Sequence, residues 1–319
     1  MEFYSEEIPA RMQKVASIKL KEKLLNELEI NNFIFGKTKE FYGSKRIAIN
    51  IEHVSSKQND VQEEKRGPRV DANQIAIDGF VKSVGAKLEN LEKRETPKGT
   101  FLFYTDNKKG KSLKDLLPQM ITNLIINFPW QKSQKWGKGS FKWIRPLKGI
   151  NVLYNNKVIK LNIGQKEWNL ETSNFTYGHS FLNKEKFSFL NQEEYVSKLK
   201  KNFVLVDPIE RKKTIQSQIN KISDKLNLHI VEDEKLLEEV CGLVEWPNAL
   251  VGRIDNKFMS LPKEVLITAM RTHQKYFSII NNQQDIQPYF IVISNMPRHK
   301  IRDKNILIGN EKVLRSRLE

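Results

Sequence analysis

The 319-residue chain has one cysteine, Cys241, five histidines and no long apolar run. A single cysteine excludes an internal disulfide framework and a cysteine-rich zinc site. Its setting, LLEEVCGLVEW, is apolar and suits a buried, inert thiol better than a nucleophile. No stretch approaches the ~20 apolar residues of a membrane span. The opening MEFYSEEIPARMQ lacks the basic-then-apolar order of a secretory signal. We therefore expect a soluble, cytoplasmic protein with no membrane partner.

Catalytic signatures are scarce as well. Gly36-Lys37-Thr38 has the ending of a phosphate-binding loop, but Asn31 stands where its first glycine belongs. None of His53, His179, His229, His273 and His299 precedes an aspartate or forms an H-E-x-x-H pair, so no metal site is expected. Gly178-His179-Ser180 lacks the G-x-S-x-G frame of a nucleophile elbow. Glu245 beside Trp246 would suit an acid catalyst, but no second carboxylate stands close in sequence. The better reading is a strand-end Trp246 that fills core while Pro247 shapes the turn. No catalytic residue is assigned.

Positive charge, by contrast, is plentiful: the formal net charge is +16 and the pI about 9.6. Such an excess suits a polyanionic partner. Lysine outnumbers arginine 41 to 13, however, which is also what drift in an AT-rich genome leaves on solvated faces. Sites that fork onto phosphates favour arginine.

The pattern along the chain is mixed. A strand is expected near 3–5 and a helix over 10–30, with Met12, Val15, Ile18, Leu25 and Leu28 at helical spacing. Strands are expected near 33–35 and 46–54. The polar stretch 55–71 reads as a long surface loop, followed by a helix over 72–84. Thr96-Pro97-Lys98-Gly99 reads as a hairpin turn, with Phe101, Phe103 and Thr105 on one strand face. A helix from Ser112 to about Phe128 should kink or split at Pro118. The stretch 129–154 begins aromatic and basic and turns strand-like, and 157–163 pairs with it. Helices dominate 193–240, where Asp207, Pro208 and Glu210 form a helix start as N-cap, N1 and N3. Strands return after 243, with a helix over 262–272 among them. The class is α+β, a sheet-rich body with a helical insertion. The expected segmentation is 1–192, 193–240 and 241–319.

Several stretches together resemble one family, the β subunit of bacterial heterotetrameric glycyl-tRNA synthetase. They include FYSEEIPARM (3–12), GSKRIAI (43–49), KRGPRV (65–70), AIDGFVKSVG (76–85), KGTFLF (98–103) and KWGKGSFKWIRPLKGI (135–150). YGHSF (177–181), DPIERKKTI (207–215), the run 236–277, SNMPRHK and GNEKVLRSRLE complete the set. Two departures stand out. Ser180 replaces the arginine usual after Gly-His, and the chain ends at Glu319 inside a motif that leads into a further helical domain. The resemblance therefore implies roughly the N-terminal half of such a subunit, starting a few residues late.

The resemblance also implies a division of labour. Glycyl-adenylate formation, with ATP and Mg²⁺, belongs to the α subunit, and this chain binds no cofactor itself. The β chain grips tRNA-Gly and completes an α2β2 complex. Its N-terminal part resembles, more distantly, the editing-type module of the phenylalanyl-tRNA synthetase β chain. Two alternatives stay open: an editing-like hydrolase acting on mischarged tRNA, and an interdomain scaffold without RNA contact. Two clusters are candidates for tRNA. Arg271, His273, Gln274, Lys275 and Tyr276 crowd one helix-to-strand corner, and Trp136, Lys138, Lys142, Trp143 and Arg145 mix bases with rings. At the corner, His273 and Gln274 would otherwise satisfy buried backbone groups.

Overall fold

The computed structural model describes residues 1–136, 141–165 and 168–319. The chain is α+β and folds as two compact units. The larger comprises Met1–Leu25, Lys37–Glu52 and Pro118–Glu319, and the smaller Asn26–Gly36 and His53–Leu117. Among the described residues no helix is long and apolar enough to cross a membrane.

Among the described residues two large sheets, beside three two-stranded pairs, build the larger unit. In the six-stranded one the order is Asn162–Gln165, Trp168–Ser173, Leu147–Asn151, Glu2–Ser5, Arg46–Ile51 and Thr38–Tyr42. Its pairings are antiparallel except that of Trp168–Ser173 with Leu147–Asn151. The four-stranded sheet is antiparallel throughout: His229–Ile230, Phe277–Ile280, Ile286–Asn295 and Pro247–Arg253. Helices Pro208–Leu226 and Glu234–Leu243 pack on it through Ile215, Ile219, Leu237 and Val240 against Phe277, Ile279 and Ile291. These two helices and the strands after them thus share one core, whereas helix Gln192–Lys201 packs through Tyr195 and Leu199 with Phe41 and Ala48.

The local signals account for many of these elements. Asp207 accepts from the N–H groups of Ile209 and Glu210, with Pro208 at the first helical position, and the helix runs to Leu226 as expected. The first helix spans Ala10–Ile30, and its buried face keeps Met12 and Leu28 of the expected set but not Val15 or Ile18. Met12, Ala16, Leu20, Leu24 and Leu28 face inward with Gln13 and Ser17, while Val15 and Ile18 stay about 40% exposed. The cause is a close approach to Gly242, where an added Cβ would lie 2.7 Å from the Ala10 Cβ. With the backbone that near, the Gln13 amide donates to the carbonyls of Gly242 and Ile8, each at 2.8 Å.

The smaller unit is a three-stranded antiparallel sheet, Val61–Arg69, Gly99–Lys108 and Glu92–Thr96, with helix Gln74–Val84 on one face. The expected loop over 55–71 is corrected here, because Val61–Arg69 is an edge strand paired with Gly99–Lys108. Polar residues suit both faces of a solvated edge, so alternation was absent, and Pro68 sits where the register shifts between Arg66 and Arg69. On the helix-free face Arg66 lies 3.7 Å over the Phe101 ring and Arg94 5.1 Å over Phe103. Helix Leu113–Ile126 is assigned as one helix with Pro118 inside, not split there.

Candidate nucleic-acid interface

The positive charge is unevenly divided between the two units. The smaller unit holds 13 Lys/Arg against 12 Asp/Glu, which leaves +15 of the net +16 on the larger unit. Both candidate clusters lie in the larger unit.

At the first cluster, helix Lys263–Thr268 passes into a π-helical turn, Ala269–Gln274, before Lys275 takes a left-handed backbone (φ 61°). Met270 and Tyr276, both buried, bracket the turn, and the Tyr276 N–H donates to the Met270 carbonyl at 3.0 Å. The Tyr276 ring stacks on Phe290 with centroids 4.5 Å apart, and its hydroxyl donates to Asn310 Oδ1 at 2.6 Å. Burial pushes that hydroxyl's pKa up to about 12. Phe290 in turn covers Gly252 across the strand pair, where any Cβ would strike its ring. Tyr276 therefore closes the core and has no face left for a base.

The charged residues of this turn are already engaged. Arg271 pairs with Asp233, the N-cap of helix Glu234–Leu243, and lowers that carboxyl's pKa through their hydrogen bond. Lys275 Nζ lies 3.0 Å from Glu239 Oε1 and donates to the Thr272 carbonyl at 3.2 Å. Exposed pairs of this kind are worth only ~0–1 kcal/mol, so a phosphate could exchange into either at little cost. His273 is exposed and Gln274 half-buried, and among the described residues neither side chain makes a hydrogen bond. They do not satisfy buried backbone groups; the π turn and the left-handed Lys275 close the corner instead.

The second cluster divides. Trp143 is 1% exposed and packs among Phe3, Phe128, Trp130 and Phe141, with centroids 5.0–6.0 Å away. It fills core and cannot stack on a base. Trp136 meets Phe141 edge-on at 5.5 Å and is half-buried. Arg145 donates from Nε to the Glu7 carbonyl at 3.2 Å and from Nη1 to Gln134 Oε1 at 3.4 Å. Lys138 lies outside the described residues. Strands Gln134–Lys135 and Lys142–Trp143 pair antiparallel, which sets Lys135 directly opposite Lys142, both exposed. Like charges opposed across a strand pair repel. Among the described residues neither lysine has a carboxylate partner. An anion placed between them would relieve the repulsion. Lys135 was not among the sequence candidates, since only the strand register brings it to Lys142.

Other motif residues are structural. Glu245 is 3% exposed and pairs with Arg46, not with a second acid, while Trp246 is half-buried edge-on to Phe203 at 5.4 Å. His179 is fully buried, and its Nδ1 accepts from the Phe181 N–H at 3.3 Å. Cys241 is buried. Among the described residues no three His, Cys, Asp or Glu side chains gather as a metal set.

Comparison with known proteins agrees over the full chain. The family model described as glycyl-tRNA synthetase beta subunit matches residues 1–319. The chain is 38% identical to the glycine–tRNA ligase beta subunit of Rhodospirillum centenum, over 100% of this chain and 47% of that protein. The beta subunits of Ruegeria sp. (strain TM1040) and Rickettsia prowazekii are 37% and 36% identical, again over 100% of this chain and over 46% and 47% of theirs. The chain thus spans about half the length of the curated relatives it matches. A family model covering every residue, with that identity sustained end to end, means that the chain belongs to the glycyl-tRNA synthetase beta subunit family.

Proposed function

We propose that this chain is the non-catalytic N-terminal part of a glycine–tRNA ligase β subunit, which binds tRNA-Gly and assembles with the catalytic α subunit in an α2β2 complex in the cytoplasm. The end-to-end family match carries this reading. ATP and Mg²⁺ act on the α subunit. The likeness of the mixed α+β body to the editing-type module of the phenylalanyl-tRNA synthetase β chain is part of the same proposal. Glycine-dependent ATP–pyrophosphate exchange by the purified chain should be absent, and a signal above that of a mock preparation would defeat the non-catalytic assignment.

The opposed, unpaired Lys135 and Lys142 support tRNA contact more directly than the ion-paired corner at 271–275. A salt titration of tRNA-Gly binding separates them. Each phosphate contact contributes a slope of about −0.7 to −0.9 in log affinity against log salt. Alanine at both Lys135 and Lys142 should flatten the slope by about one to two units. Arg271→Ala with Lys275→Ala should flatten it similarly if phosphates displace Asp233 and Glu239. Lys19→Ala with Lys23→Ala, on the first helix, should leave it unchanged. Equal effects from all three pairs would mean diffuse attraction, and the scaffold alternative would gain.

A further inference from the structure

We infer that a groove beside the first helix seats an amphipathic, acid-flanked helix of a second protein chain. The groove, about 1090 Å³, runs between helix Ala10–Ile30, the start of helix Pro208–Leu226 and the length of helix Glu234–Leu243. Three features of its lining point to an occupant.

The first is apolar. Val15 and Ile18, one helical turn apart, and Ile209 all line the groove and are 41%, 40% and 64% exposed. A ridge at i, i+3 beside a further aliphatic residue is what a partner helix with anchors at i, i+3 or i+4 and i+7 packs against. The second is polar. Gln13 Oε1 and Ser17 Oγ belong to groove-lining side chains that are 1% exposed, and neither atom has a hydrogen-bond partner. Buried acceptors normally find a donor, and a side-chain donor on the occupant would supply it.

The third is charge. The groove's acids are taken within the protein: Glu40 by Lys21 at 2.5 Å, Glu238 by Lys14 at 3.2 Å and Glu239 by Lys275 at 3.0 Å. Arg11, Lys213 and Lys235 line the rim, are exposed and, among the described residues, have no carboxylate partner. The unbalanced charge left for an occupant is positive, so its flank is acidic. Nucleic acid fits less well, because the exposed apolar groups Val15, Ile18 and Ile209 are aliphatic and the one ring in the lining, Tyr42, is half-buried.

That the second chain is the catalytic α subunit rests on the function proposed above. The test reconstitutes the full-length β chain with purified α subunit and measures their affinity by sedimentation, with tRNA-Gly affinity measured in parallel. Val15→Asp with Ile18→Asp, and separately Arg11→Glu with Lys213→Glu and Lys235→Glu, should each weaken subunit binding at least tenfold while tRNA affinity holds. Ile209→Asp should do the same. It adds an acid in the first turn of a helix already capped by Asp207, which suits the helix dipole, so it decides the matter if the double variant misfolds. Wild-type binding with all variants within twofold of it overturns the groove and leaves assembly standing. No binding by the wild type overturns the assembly reading and this occupant together. Loss of tRNA affinity with unchanged subunit binding makes the groove an RNA site and overturns the inference.

Discussion

Replacing Arg46 by methionine should cost about 3–5 kcal/mol of unfolding free energy, the usual penalty for leaving buried carboxylates without their cation. Arg46, Glu2 and Glu245 are 1%, 1% and 3% exposed. Nη1 donates to Glu2 Oε1 and Nη2 to Glu245 Oε1, each at 3.3 Å, and Nη2 also reaches the Tyr177 carbonyl at 3.1 Å. Burial opposes the guanidinium's charge, but Glu245 and Glu2 outweigh it and raise its pKa above the ordinary value. Neutral donors complete the shell of Glu2: Asn151 Nδ2 at 2.6 Å, the Tyr195 hydroxyl at 2.8 Å and Thr176 Oγ1 at 3.0 Å. Tyr195 stays protonated for this task, since burial and then the Glu2 charge raise its pKa well above the normal range.

Against a total stability of ~5–15 kcal/mol, such a loss leaves the larger unit close to unfolding. All five tryptophans lie in that unit, so urea unfolding followed by tryptophan fluorescence reports on it alone. Adding Glu2→Gln and Glu245→Gln to Arg46→Met should recover part of the loss, because the stranded charges are then gone. A loss below about 1 kcal/mol for Arg46→Met would show that water reaches the carboxylates, and would refute the network's structural role.

Arg211 should be nearly as sensitive, for a different reason. It is 1% exposed and donates chiefly to backbone carbonyls: Cys241 from Nε at 2.8 Å, Leu205 from Nη1 at 2.5 Å and Tyr42 from Nη2 at 2.9 Å. One side chain thus ties helix Pro208–Leu226 to strand Thr38–Tyr42 and to the end of helix Glu234–Leu243. Arg211→Met removes the donors and strands the acceptors at ~1–3 kcal/mol each, so a loss of about 3 kcal/mol or more is expected. Lysine should rescue little, because an ammonium on a single stem cannot reproduce the guanidinium fork. If Arg211→Lys matched the wild type in the same urea titration, point charge and not geometry would be what the site requires.

Much of the local structure was legible in the residues. The cap at Asp207 with Pro208, the Thr96–Gly99 turn and the limits of the first helix depend on groups within about four positions of one another, and each formed as read. Family membership was legible too, from motifs in order along the chain. The functions of particular motif residues were not. Arg46 meets an acid 199 positions away, and nothing near either residue marks them as partners. The buried face of the first helix took in Gln13 because the chain at Gly242 came close. The polar strand Val61–Arg69 exists because Gly99–Lys108 offers it an edge, and Lys135 opposes Lys142 because of a strand register. Trp143 and Tyr276 became core, while Lys142 and His273 nearby stayed exposed. Capping and turn chemistry act over one or two turns of chain and are written in adjacent residues. Burial and ion pairing depend on which distant backbone arrives alongside, and that is settled only when the sheets and helices pack.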